Sequence, residues 1–112
     1  MSENSYAARV AVVTGGASGI GRAICEHLAR HGRQIGVLDL ARDAAEGVAH
    51  ALQATGAQAT AREVDVSDRA SVDVALDSVR AELGPIEILV TSAAAAPFSR
   101  FSEITAEDTG IR

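Results

Sequence analysis

A chain of 112 residues is long enough for one domain with a core of its own and too short for two of ordinary size. Apolar residues make up 47% of it, aromatics only 3%, and alanine is abundant, a composition that suits helices lying close on a sheet better than a sandwich with bulky aromatic layers. The formal charge of −5 includes ten arginines, scattered from Arg9 to Arg112, and no lysine, so no basic face is offered to nucleic acid.

The opening MSENSYAARV has neither the basic start nor the apolar core of a signal peptide, and no later run approaches the roughly 18 apolar residues of a membrane span. A cytoplasmic protein with no membrane partner is expected. The lone Cys25 cannot form an internal disulfide and reads as a small packed helix residue.

Val10 to Thr14 predicts a buried strand, being short, continuous and rich in valine, as in a parallel sheet covered on both faces. From Gly19, the positions Ile20, Ala23, Ile24 and Leu28 recur at helical spacing and stop at His31-Gly32. Gln34 to Asp39 predicts a second strand. Ala45, Val48, Ala49 and Leu52 then mark the inner face of a second helix that ends at Thr55-Gly56.

Ala59 to Val64 supplies a third strand, weaker in pattern. Ser67 or Asp68 can cap a third helix with Val72, Ala75, Leu76, Val79 and Leu83 inside, and Gly84-Pro85 ends it. Ile86 to Thr91 predicts the fourth strand, Ala93 to Arg100 a loop, and Thr105 a cap for a further helix. Strands alternating with helices through short connections point to an α/β fold with a parallel sheet. If the first three strands step one way and the fourth returns beside the first, the order is 3-2-1-4, and right-handed crossovers put the third helix on the face opposite the first two. No repeat or internal linker is visible, and a single domain over residues 1–112 is expected.

Between the first strand and the first helix, Gly15, Gly16, Gly19 and Gly21 fall within seven residues. A tight turn at Gly15, bare backbone at Gly19 and Gly21, and the free N–H groups of a helix N-terminus together make a phosphate site suited to a dinucleotide. A tight turn without a ligand is the alternative. A nucleoside triphosphate loop over Gly16 to Ala23 fails chemically, because Arg22 stands where lysine would reach the terminal phosphates and Ala23 has no hydroxyl for magnesium.

Asp39 ends the second strand eighteen residues after Gly21, where a carboxylate can accept hydrogen bonds from both hydroxyls of an adenosine ribose and repel a 2′-phosphate. A solvated strand-end acid is the plainer reading. Arg42, close by, could instead receive a 2′-phosphate, so the residues favour NAD over NADP without excluding the second. His27 and His31 lie four apart on one helix, but with no third ligand near they read as a polar face beside Glu26 and Arg30, and no metal is expected. Ser18 reads as a turn and phosphate-contact residue rather than a nucleophile, since no histidine is placed beside it.

The run TGGASGIG, Thr14 to Gly21, resembles the TGxxxGxG signature of the short-chain dehydrogenase/reductase family, and the likeness extends over nearly the whole chain. The resemblance implies a Rossmann-type fold, NAD(P) as cofactor and hydride transfer between that cofactor and an alcohol or carbonyl substrate. It implies cofactor contacts at Gly15, Ser18, Gly19, Ile20 and Gly21, and at Asp39, where members preferring NAD carry their acid. Asp65 and Val66 match the pair that meets the adenine, although Asp65 reads equally as a residue that leads into a helix.

Where the family's fourth strand runs into NNAG, this chain has Thr91, Ser92, Ala93 and Ala94, with an extra methyl group at Ala94 in place of glycine. The resemblance further implies a catalytic serine and a YxxxK motif, for which no counterpart exists in a chain with one tyrosine, Tyr6, and no lysine. The chain thus resembles the N-terminal, cofactor-binding half of such an enzyme, with no catalytic residue assigned and no turnover expected of it alone. The alternative is a non-catalytic dinucleotide-binding module acting through self-association or a partner chain. The apolar fourth strand, with its far edge unpaired, offers a route to a homo-oligomer.

Overall fold

The computed structural model describes residues 9–92. The expected Ala93–Arg100 loop and Thr105 cap lie outside them. Within them the chain runs β1 (Val10–Thr14), α1 (Gly19–Arg30), β2 (Gln34–Asp39), α2 (Arg42–Ala54), β3 (Ala59–Glu63), α3 (Arg69–Leu83) and β4 (Ile86–Thr91). The four strands form a parallel sheet in the order β3-β2-β1-β4. The expected third strand ends one residue early, yet Val64 still donates its N–H to the Asp39 carbonyl and is buried.

Every side chain of β1 is buried, which is why its sequence is a continuous apolar run rather than an alternating one. Ala11 and Val13 meet Cys25, Ile35, Val37, Ala45, Val48, Ala49 and Leu52 on the face covered by α1 and α2. Val10 and Val12 meet Leu38, Val64, Ala75 and Val79 on the face covered by α3. Each buried valine, leucine or isoleucine is worth roughly 1.5–3 kcal/mol, and this two-sided burial makes β1 the strand on which the sheet depends.

Gly36 lets α3 approach the sheet, because a Cβ there would lie 3.1 Å from Val79 Cγ1 and 3.2 Å from Val12 Cγ2. Asp68, not Ser67, caps α3, its side chain accepting from the Ala70 N–H at 3.0 Å. At the other end Gly84 takes φ +108° and turns the chain into β4.

The edge strand β3 packs Ala59 and Ala61 against the apolar core on one face and carries a polar cluster on the other. Glu82 accepts from Thr60 Oγ1 at 2.9 Å and from Arg62 Nη2 at 2.6 Å, while Arg62 Nε donates to Ser78 Oγ at 2.6 Å. This clamp ties the β3 edge to α3.

Candidate cofactor-binding site

The C-terminal ends of β1, β2, β3 and β4 all open on the same side of the sheet, and the topology reverses between β1 and β4. Open parallel sheets hold their ligands at such a reversal. The glycine loop emerges there from β1.

Gly15 takes φ +68°, a conformation that glycine adopts without strain. The loop then closes on itself: the Ser18 N–H and Ser18 Oγ both donate to the Gly15 carbonyl, at 3.1 and 2.7 Å, and Ser18 Oγ accepts from the Gly21 N–H at 3.4 Å. Ser18 is the N-cap of α1. The turn role expected of it is therefore what the structure shows, with its only hydroxyl proton committed inside the loop.

Gly16 N–H donates to the Leu38 carbonyl at 3.1 Å, and the Ala17 N–H donates to Asp39 Oδ2 at 3.0 Å. Among the described residues, this leaves the first-turn N–H groups of Gly19 and Ile20 without an acceptor. Both residues face solvent. A Cβ at Gly19 would meet no atom within 4 Å, and Ile20 is 69% exposed. Two uncommitted amides at the positive end of a helix dipole form an anion cradle.

Gly21 serves a different end from Gly19. A Cβ there would fall well inside contact distance of the Gly15 carbonyl oxygen, and 3.0 Å from Gly16 Cα. Its bare backbone allows the helix to rest on the loop.

Asp39 lies at the end of β2 beside this loop. Its Oδ2 accepts from Ala17 and its Oδ1 accepts from the Ala41 N–H at 2.9 Å, so this part-exposed carboxylate is tied to two backbone amides. Arg42, the alternative anion receiver, is drawn along its own helix to Glu46 at 3.1 Å.

Leu40 follows Asp39, lies outside the buried pattern of β2 and is 67% exposed, and a large apolar residue directly after a strand-end acid is its signal in the sequence.

At the end of β3, Asp65 Oδ1 accepts from the Ser67 N–H at 3.0 Å and from Ser67 Oγ at 2.6 Å. These two bonds stabilise the carboxylate and hold its pKa below the ordinary range. Asp65 therefore shapes the turn into α3. Val66, beside it, is 52% exposed.

Between Val66 and β4 opens a cleft of about 500 Å³, lined by Thr14, Leu38, Val64, Leu76, Leu89 and Thr91 among others. Its lining is mainly apolar, yet Thr14 Oγ1, at the edge of the glycine loop, is buried without a hydrogen-bond partner. Buried hydroxyls are rarely left so. Ser92 joins the site through its N–H, which donates to the Thr14 carbonyl at 3.0 Å. Ala93 and Ala94 lie outside the described residues.

Cys25 is fully buried beneath the loop, its thiol pushed up to about 12 chiefly by desolvation. The His27 and His31 rings lie 4.4 Å apart on α1, and no group of three or more potential metal ligands occurs among the described residues. No helix among them is long and apolar enough to cross a membrane.

This donor set fits a dinucleotide: an anion cradle, a carboxylate one strand away, two exposed apolar side chains at neighbouring strand ends and an apolar cleft. Comparison with known proteins agrees. The family model described as short chain dehydrogenase matches residues 9–110. The D-threitol dehydrogenase of Mycolicibacterium smegmatis is 42% identical over 100 residues, covering 89% of this chain and 38% of that protein.

The L-2,3-butanediol dehydrogenase of Corynebacterium glutamicum is 41% identical over 103 residues, covering 89% of this chain and 40% of that protein. Among solved structures, a short-chain dehydrogenase/reductase from Burkholderia phymatum in complex with NAD superposes with a TM-score of 0.70 at 33% identity, over 72% of this chain and 29% of that one. The chain thus spans about two fifths of the length of these two curated relatives.

Proposed function

Because this chain belongs to the short-chain dehydrogenase family, we propose that it is the NAD-binding portion of an oxidoreductase acting between an alcohol and a carbonyl compound. The observation that carries this reading is the pair of open amides at Gly19 and Ile20, placed next to the Asp39 carboxylate. The amides would take the pyrophosphate and Asp39 the adenosine ribose. Leu40 and Val66 offer apolar surfaces to the adenine, beside Asp65, while Ser92, Ala93 and Ala94 would line the far side of the cofactor.

NAD is favoured over NADP for two reasons. Asp39 would repel a 2′-phosphate, and Arg42, which could attract one, is paired with Glu46. When bound, the nicotinamide carries the hydride. The chain's own residues would bind and orient it.

Hydride transfer to a carbonyl also needs a proton, and general acid-base help is worth about a hundredfold to ten-thousandfold. The resemblance assigns that task to a tyrosine whose pKa is lowered by a lysine. Here there is no lysine and one tyrosine, Tyr6, ahead of β1. Arginine differs from lysine in reach and geometry and is no ready substitute. We therefore infer that the 112-residue chain binds NAD and by itself turns over neither alcohols nor carbonyls, as a cytoplasmic module that needs further residues for catalysis.

Calorimetric titration with NAD and with NADP, run beside a dehydrogenase assay on mixed alcohols, tests both parts. Binding of NAD without turnover is expected. Absence of NAD binding would overturn the reading, and turnover by the pure chain would demand another proton donor.

A further inference from the structure

One carboxylate joins two connections of the fold. Asp39 Oδ2 accepts from Ala17, in the β1–α1 loop, and Oδ1 accepts from Ala41, in the β2–α2 turn, at 3.0 and 2.9 Å. Ala17 is 22 residues away in the chain, and it sits two residues before the open Gly19 amide. We propose that Asp39 is a positioning residue for the glycine loop as well as a ribose acceptor, holding the Gly19 and Ile20 amides where an anion meets them. This rests on the cofactor-binding reading and adds a second task to one of its residues.

The loop's own bonds are short-range and leave its placement over the sheet to two long-range contacts. One is Gly16 N–H to the Leu38 carbonyl, and the other is Ala17 N–H to Asp39. The second is charge-assisted, and such bonds are about twice as strong as neutral ones. Both oxygens of the carboxylate are used, each retaining a lone pair for a further donor.

A carboxylate is the only common side-chain group that can accept on both sides at this position. An amide of the same shape would present an oxygen to one backbone donor and an NH₂ group to the other. Asparagine should therefore disturb the loop beyond what loss of charge alone would do. Cofactor preference and loop placement would then be coupled, so that removing Asp39 weakens binding of an anion that has no ribose and does not produce a better NADP site.

The test uses the 112-residue chain with Asp39→Asn and Asp39→Ala, inorganic pyrophosphate as the ligand without ribose, and amide exchange followed by NMR. In Asp39→Asn the Ala17 amide should exchange about tenfold faster, with Val13 and Val37 unchanged, and pyrophosphate affinity should fall about fivefold. NADP should bind no better than to the unaltered chain. Ala17 exchange within about twofold of the original, or undiminished pyrophosphate binding once protection is lost, would overturn the proposal.

If both variants unfold, the unaltered chain decides the matter. In it the Ala17 and Ala41 amides, both donated to Asp39, should be protected from exchange relative to the open Gly19 and Ile20 amides, and exchange of all four at one rate would overturn the shared-carboxylate arrangement. A chain that binds neither NAD nor pyrophosphate would instead sink the cofactor reading. The exchange data would still decide whether Asp39 holds the loop.

Discussion

The first turn of α1 rests directly on the glycine loop at Gly21, where an added Cβ would lie 2.8 Å from the carbonyl carbon of Gly15. No flexible side chain is present to give way, because the obstructing atoms are all backbone. Gly21→Ala should therefore cost about 3 kcal/mol or more, as overpacking that forces the backbone to move does. Gly19→Ala should leave the melting temperature unchanged or raise it, since its Cβ meets nothing within 4 Å and alanine is the better helix former. It should nonetheless weaken NAD binding if the phosphates approach the bare backbone there, because the methyl group adds bulk on the solvent side of the loop. Thermal melts and calorimetry on the two variants check the contrast.

NAD should bind in preference to NADP, and Asp39→Ala should weaken NAD binding by about 1.5–3 kcal/mol, the range for hydrogen bonds to a charged group. Equal affinities of the unaltered chain for the two cofactors would remove Asp39 from its assigned role as ribose acceptor.

Cys25 should be inert to thiol reagents in the folded chain. Its thiol is fully buried and pushed up to about 12, so almost no thiolate exists near neutral pH. A group whose folded pKa lies above its unfolded value of 9.0 contributes stability that is fully present below that value and is lost as the pH climbs towards about 12. Labelling should follow unfolding in denaturant, and the chain should become less stable above about pH 9. Cys25→Ser, which places a hydroxyl in the same buried site, should flatten this alkaline slope.

Acid should loosen the β3 edge. Hydrogen bonds from Arg62 and Thr60 hold the Glu82 carboxyl below its usual value of 4.5. A depressed carboxylate contributes stability that is present above its unfolded pKa and lost as pH falls through the lower folded value. Denaturant melts should show stability declining from about pH 5 downward, and Glu82→Gln should reduce that slope while leaving the neutral-pH cofactor affinity unchanged.

Self-association is expected through β4. That strand pairs with β1 on one side, has no pairing on its other edge among the described residues, and carries Leu89 at 54% exposure. Unpaired apolar edges recruit further strands. Sedimentation should reveal dimers or larger species that Leu89→Lys shifts towards monomer, and a monodisperse monomer of the unaltered chain would refute the expectation.

The sequence by itself determined the elements, their order along the chain and the place of the glycine loop. Local rules suffice for these: a valine run buried on both faces, helical spacing that stops at Gly32, Gly56 and Gly84, and a loop whose glycines leave room for turn and ligand. The order 3-2-1-4 agrees with the expectation that the fourth strand returns beside the first, while crossover handedness decides only which face each helix covers. The parts assigned to Gly19 and Gly21 together were divided only by the tertiary structure, which opens one to solvent and packs the other on backbone. The bond from Ala17 to Asp39, the Asp65 turn, the exposure of Leu40 and the uncommitted Thr14 hydroxyl were likewise decided there. These depend on directions and distances between residues far apart in the chain, and a pattern of residue types carries no information about which side-chain oxygen meets which amide.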